Sequence, residues 1–420
     1  LVLFAHLLLV VATAAAVLLT PKTPASADPS PEAALVGVTQ VDVGRFHSCA
    51  RLRTGQVRCW GDNDSRELGD GTLAESNQPV TTVNPAGSGP MTGVTQVDAG
   101  GFHSCARLRT GQARCWGSNF QGELGTGDGA IHVRPVTVLN GAGNGPLLAV
   151  TGITTGTQFT CARFRNRQAR CWGANGAGQL GTGSFGGSLS LPATVRGLDG
   201  PGPLTGVLAV SAGSGTACAR LTGGRAACWG SNADGRLGSG IPGDSAIPRL
   251  VSNPTGTGPL TGVAQVVVGS RHACARLTSG QVRCWGANDD GQLGTGANDP
   301  SNRPVGVKGT GSALTLTGVT RLTAGFDHTC ARLTSGQVRC WGQNFYAQLG
   351  DRSTSHRNRP VAVRNASGSA ALTGVTDLSG GERHTCFRTT TEVLCTGDNA
   401  FGQLGDGTFA DSDRPVGVRR

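Results

Sequence analysis

The stretch HSCARLRTGQVRCWGDN (47–63) contains two short β-rich runs, HSCARL (47–52) and QVRCWG (56–61), joined by Arg53, Thr54 and Gly55. A three-residue loop ending in glycine is the turn of a tight antiparallel hairpin. Counting outward from Leu52 opposite Gln56, Val57 faces Arg51, Arg58 faces Ala50 and Cys59 faces Cys49. The cysteines then fall on a non-hydrogen-bonded pair, where Cα atoms approach to about 4.5 Å, within reach of a disulfide.

The hairpin recurs seven times. Its first cysteine is Cys49, Cys105, Cys161, Cys218, Cys274, Cys330 and Cys386. Its second is Cys59, Cys115, Cys171, Cys228, Cys284, Cys340 and Cys395, so all 14 cysteines are used. The last hairpin is one residue shorter, yet a two-residue loop at Thr390-Thr391 keeps Cys386 opposite Cys395. The spacing predicts seven disulfides over reduced core thiols. It disfavours zinc, because one hairpin offers two ligands where four are needed. Around the hairpin lie a preceding run, VTQVDVG (38–44), and a following one, PVTTV (79–83). Four short strands per repeat of about 56 residues predict an all-β fold, a seven-bladed β-propeller of four-stranded blades. The last repeat ends in RPVGV (414–418), and this C-terminal strand, Pro415 to Val418, is expected to pair with the strands of the N-terminal blade and close the ring.

The pattern His, small residue, strand, Gly turn, Val, then Trp-Gly-x-Asn, followed by Leu68-Gly69 and a Pro-Val strand, resembles the regulator of chromosome condensation repeat family. The likeness covers about residues 36–420 and implies the family's seven-bladed propeller. Among family members the chain looks most like secreted bacterial ones. It departs from the pattern at Thr396, which replaces Trp, and at Phe159 and Thr216, which replace His. The family's eukaryotic founder implies one function, guanine-nucleotide exchange on a small GTPase.

The ends and the composition bear on location. Leu1 to Leu19 is apolar apart from His6 and Thr13, and Ala25-Ser26-Ala27 follows. Residues 1–27 therefore read as a secretory signal cleaved after Ala27, with an uncleaved membrane anchor as the rival. Residues 28–35 read as a flexible lead-in and 36–420 as the propeller. The expected location is secreted or cell-surface. The formal charge is +10, almost all of the cations are arginine, and removal of Lys22 with the signal leaves +9. No block of consecutive cations marks a nucleic-acid arm.

Residues that recur in register are candidates for chemistry or for scaffold. His47, His103, His272, His328 and His384 precede the first cysteine by two. One per blade, they are expected to bond backbone near their own corners. Arg51, Arg107, Arg163, Arg220, Arg276, Arg332 and Arg388 stand in every repeat as candidate anion ligands. The rival reading packs their stems between blades. Asn63 and its six counterparts are expected to bond turn backbone. Acidic turns such as DNDSRELGDG (62–71) lack the bidentate glutamate of a calcium loop. No nucleotide-binding loop, HExxH or GxSxG is present, so neither a cofactor nor an enzyme is expected. The expected function is binding of a protein or cell-envelope polymer by a monomer, through variable loops such as 70–78 and 84–93. An extracellular enzyme with a site at the axis is the remaining alternative.

Overall fold

The computed structural model describes residues 33–198, 200–309 and 314–420. The segment 1–27 read as a signal, and residues 28–32, lie outside the described residues. Among the described residues no helix is long and apolar enough to cross a membrane.

Ala33–Arg420 form one unit of seven four-stranded antiparallel sheets, each built from four consecutive strands. Blade 1 comprises Val38–Val43, His47–Leu52, Val57–Gly61 and Ser76–Thr81. Blade 7 comprises Asp377–Gly380, His384–Arg388, Val393–Gly397 and Ser412–Gly417. The first strands line the axis. The fourth strand begins earlier than 79 because the chain pairs Gly61 with Ser76 past an irregularity beside Cys59. Pro79 is tolerated there because the fourth strand is the outer edge and its missing N–H breaks no ladder.

The hairpin register is as counted. Cys49 faces Cys59 and Arg51 faces Val57, and the shortened last hairpin still sets Cys386 opposite Cys395. Seven disulfides join the pairs, with Cα atoms 4.0–4.1 Å apart, and no described cysteine is free. Arg167 takes the position of the turn glycine by adopting a left-handed φ of 60°.

The core lies between blades. Cys49, Val57, Cys59 and Leu68 of blade 1 pack on Val94, Val97, Ala106 and Trp116 of blade 2. Trp116 is fully buried and its Nε1 donates to the Glu67 carbonyl at 2.6 Å. The Leu-Gly dipeptide serves this contact. Leu68 fills the core, and Gly69, at φ +65°, lies so close that a Cβ would stand 2.6 Å from the Trp116 ring. In blade 7, Thr396 replaces the tryptophan and bonds the Ala347 carbonyl at 3.2 Å.

The ring closes with the same chemistry. Trp60 Nε1 donates to the Gln403 carbonyl at 2.9 Å, and Leu35, Val41, Val393, Leu404 and Val418 share one cluster. The C-terminus does reach the N-terminal blade, through Leu35 N to Val418 O and Arg420 N to Ala33 O, both 3.0 Å. The strand Ser412–Gly417 itself completes blade 7, so the residues that cross are 418–420 rather than 415–418. Ala33–Leu35 are thereby bonded to the C-terminal residues, Ala34 bridging Arg419.

Candidate binding face

The first strand of each blade ends in a glycine corner, Gly-x-x-His in five blades, Gly156-x-x-Phe159 in blade 3 and Gly213-x-x-Thr216 in blade 4, and these corners ring one mouth of the axis. Gly44 N bonds His47 O, while Arg45 N reaches across to Gly100 O. A cavity of about 360 Å³ opens here, lined largely by corner glycines such as Gly44, Gly156 and Gly269, with Arg45, Phe326 and Glu382.

The five histidines do not converge in this cavity. His47 Nε2 lies 2.8 Å from Ser104 Oγ of the next blade, and Ser104 Oγ donates to the Glu67 carbonyl at 3.0 Å. The serine proton is thereby committed, so the imidazole must donate from Nε2. The same latch joins His103 to Thr160, His272 to Thr329, His328 to Thr385 and, across the closure, His384 to Ser48. The expected backbone partner within each corner is thus replaced by a hydroxyl one blade on. Where Phe159 and Thr216 replace histidine, the next blades carry Ala217 and Ala273 at the hydroxyl position. Burial pushes the imidazoles of His47, His103, His272 and His384 down to about 3 and that of His328 to about 4, so all are neutral.

The axial strands are laced in a similar way. Gln40 Nε2 donates to Val97 O at 2.7 Å and its Oε1 accepts from Val97 N at 3.1 Å. Asp42 accepts from Ala99 N and Ser379 Oγ, and Asp98 from both N and Oγ1 of Thr155. Burial pushes Asp42 up to about 6 and, with the Asp42 charge beside it, Asp98 well above the usual carboxylate range. Asn63 bonds turn backbone as expected, with Leu68 N donating to its Oδ1 and Nδ2 donating to Thr72 O and Ala74 O.

The two variable positions inside each corner, and two in the turn after Trp-Gly-x-Asn, share the face around this mouth, since Asp62 N bonds Phe46 O. Here the blades differ. The Arg45 guanidinium lies 4.8 Å from the Phe46 ring centre and 5.0 Å from that of Phe102, and it pairs with Glu382 at 2.5 Å. Arg383 lies over Tyr346 at 4.5 Å and over Phe46 at 5.2 Å. Phe46 and Phe401 stack at 5.2 Å, and Phe345 meets His356 edge-on at 4.1 Å. Phe120 and Phe345 are 72% and 66% exposed. Blades 3 and 4 carry Thr157, Gln158, Gly176 and Ala177, and Ser214, Gly215, Ala233 and Asp234, at the same positions. The arc from blade 6 through 7 and 1 to 2 is therefore aromatic, whereas blades 3 to 5 carry no aromatic side chain at these positions and their charges are paired, Asp234 with Arg236 and Arg271 with Asp289 and Asp327. The sequence reading passed over this face because the positions sit inside a recurring motif. Their variation within the recurring glycine-corner frame was the available signal.

The seven candidate arginines are spread one per blade, each half-buried. Arg163 Nη2 donates to Thr151 O and Arg332 Nε to Val375 O, at the starts of first strands, which is the other end of the axis. The loops 70–78 and 84–93 lie at the rim, where Gly71 N bonds Val133 O and Asn84 N bonds Gly89 O.

Models of the Regulator of chromosome condensation (RCC1) repeat match residues 38–66, 94–123, 207–236, 263–292, 319–348 and 375–403. A longer form of the repeat matches 54–107, 224–276, 279–332 and 335–388. Most of the third repeat, which has Phe159 for His and Arg167 for Gly, falls outside these matches. The Arabidopsis thaliana ultraviolet-B receptor UVR8 is 28% identical over 379 residues, 89% of this chain and 80% of that protein. Mouse E3 ubiquitin-protein ligase HERC2 is 30% identical over 295 residues, 70% of this chain but 6% of that protein's length. Among solved structures, human WBSCR16 superposes with a TM-score of 0.68 at 20% identity, covering 83% of this chain and 86% of that one. Yeast RCC1 (Prp20) bound to Kap60 gives 0.69 at 15%, covering 96% and 91%. With the repeat models matching more than half of its length and seven blades closed into one ring, the chain belongs to the regulator of chromosome condensation repeat family.

Proposed function

We propose that this propeller is an exported, disulfide-stapled scaffold that acts by binding a protein on the blade 6–7–1–2 arc of its corner face. The carrying observation is the one-sided chemistry of that face. A scaffold role alone would repeat in every blade, whereas exposed Phe120 and Phe345 and the Arg45/Arg383 aromatic cluster occur on one arc only. Aromatic and arginine anchors are the residues that dominate protein interfaces. Export is supported by the seven disulfides, which persist in oxidising compartments.

Family membership supports a second reading, nucleotide exchange on a small GTPase. The structure of yeast Prp20p was described together with its binding to Gsp1p and histones. Reduced cysteines in the native protein would favour that reading. An axial enzyme draws little support, because Glu382, the carboxylate lining the cavity among the described residues, is paired with Arg45.

Capture from the extracellular fraction tests the proposal, comparing wild type, F120A/F345A/R383A and the control T157A/S214A. Wild type and control retain a common partner, and the arc variant loses affinity by about 30-fold or more, as for hot-spot truncation. Equal capture by all three contradicts the proposal.

A further inference from the structure

We propose that the face opposite the corners binds a polyanion bearing phosphate or sulfate groups, along a track from the axis across blades 1 to 3. This goes beyond the protein-binding reading and does not depend on it. The second strand of every blade sets an arginine opposite the middle of the axial strand, as in Gln40–Arg51 and Gln96–Arg107. The heads of Arg163 and Arg332 lie at the starts of the axial strands, away from the corner mouth. The hairpin turns crowd the same end, since Arg53 N bonds Gly37 O and Arg109 N bonds Gly93 O. In blades 1 to 3 these turns expose Arg53, Arg109, Arg165 and Arg167. Blades 4 to 6 carry Thr222, Thr278 and Thr334 at the position of Arg53.

Among the described residues no ion pair joins a carboxylate to Arg109, Arg165 or Arg167, and Glu392 lines the same pocket as Arg53. The carboxylates at this end, Asp377 and Glu392, both belong to blade 7, where Asp377 pairs with Arg321 at 2.9 Å. Burial first, and then the charges of Arg107 and Arg388, hold Arg51 below its ordinary value, so neighbouring guanidiniums repel one another. The Nε atoms of Arg51, Arg107 and Arg276 are buried with no hydrogen-bond partner in the protein. Stem packing between blades explains the aliphatic part of these side chains. It does not explain charged, mutually repelling heads with unused donors. Apart from Lys22 and Lys308 every residue of the Lys/Arg pair is arginine, the side chain whose planar fork binds oxyanions bidentately. These arginines stand one per blade at the same register position around the axis. A phosphate or sulfate group accepts one guanidinium fork and, with oxygens in more than one plane, can accept a second from a neighbouring blade.

The test is titration of the full exported chain with inorganic polyphosphate, heparin, polyglutamate and duplex DNA. Polyphosphate or heparin binds tightest, and which of the two wins assigns a phosphate or a sulfate source. Affinity falls on the order of a thousandfold between about 50 and 200 mM salt if six or more contacts form. Binding of polyglutamate as tight as that of polyphosphate or heparin overturns the proposal, and tighter binding of duplex DNA, itself a phosphate polyanion, assigns the phosphate source to a nucleic acid. The variant R53Q/R109Q/R165Q changes only exposed turn residues and leaves folding intact. It weakens binding on the order of tenfold for each guanidinium removed. R51K/R107K keeps the charge but loses the fork, and it also weakens binding. Unchanged affinity in both variants overturns the site, as does loss of binding in the corner-face variant F120A/F345A.

Discussion

Replacing Glu67 with glutamine should stabilise the propeller, and by an amount that grows with pH. Glu67 is 1% exposed, and burial, aided by the Asp62 charge, pushes its carboxyl up from 4.5 to about 8. Its Oε2 accepts from Ser65 N at 3.0 Å. Glutamine makes the same bond in other blades, from Ala177 N to Gln179 and from Tyr346 N to Gln348. Gln348 Nε2 also donates to Gln343, the counterpart of Asp62, so a glutamine at 67 gains a donor toward Asp62. Blade 2 solves the problem differently, with Ser118 Oγ donating to Glu123 at 2.6 Å. Because the folded pKa is raised above the unfolded one, the favourable contribution is complete below pH 4.5 and is lost as pH rises toward 8. The loss is about 1.4 kcal/mol per pH unit, so the wild type forgoes about 3 kcal/mol at pH 7 and on the order of 5 well above pH 8. Denaturant unfolding of wild type and E67Q at pH 4.5, 6 and 8 measures it. The curves should nearly coincide at pH 4.5 and separate progressively above it. A difference that is constant with pH, or E67Q less stable at pH 8, refutes the reasoning.

Three further outcomes follow from the ring. T329A leaves the buried His272 N–H without its acceptor and should cost about 1–3 kcal/mol, while H272F/T329A, which copies Phe159 and Ala217, should recover part of it in a double-mutant cycle. Deleting 414–420 removes buried Val418 and part of the fourth strand of blade 7, so the melting temperature should fall sharply; a truncated chain that melts like the full one contradicts the closure. The chain from its native source should be about 14 Da lighter than its reduced form, two hydrogens for each of seven bridges, and C49A/C59A should lose about 2–3 kcal/mol.

The blade was legible in the sequence because hairpin geometry is local. Turn length fixes register, and register sets Cys49 opposite Cys59. The start of the fourth strand was not, because Ser76 pairs with Gly61 past an irregularity that no pattern in 70–83 announces. The histidines were assigned correctly to scaffold but to the wrong partner. Their hydroxyl lies 57 residues away, a distance that becomes short only once blades stack. The candidate face was the least legible part. Phe46, Phe102, Tyr346 and Phe401 are scattered over 356 positions, and the ring alone brings Phe401 beside Phe46.

The most direct test of the central claim is hydrogen exchange of the propeller alone and with its captured partner. Slowed exchange should be confined to the corners and turns at 45–46, 101–102, 120–121, 345–346 and 382–383. Protection centred instead on 157–158 and 214–215, or on the hairpin turns at the opposite end, would contradict it.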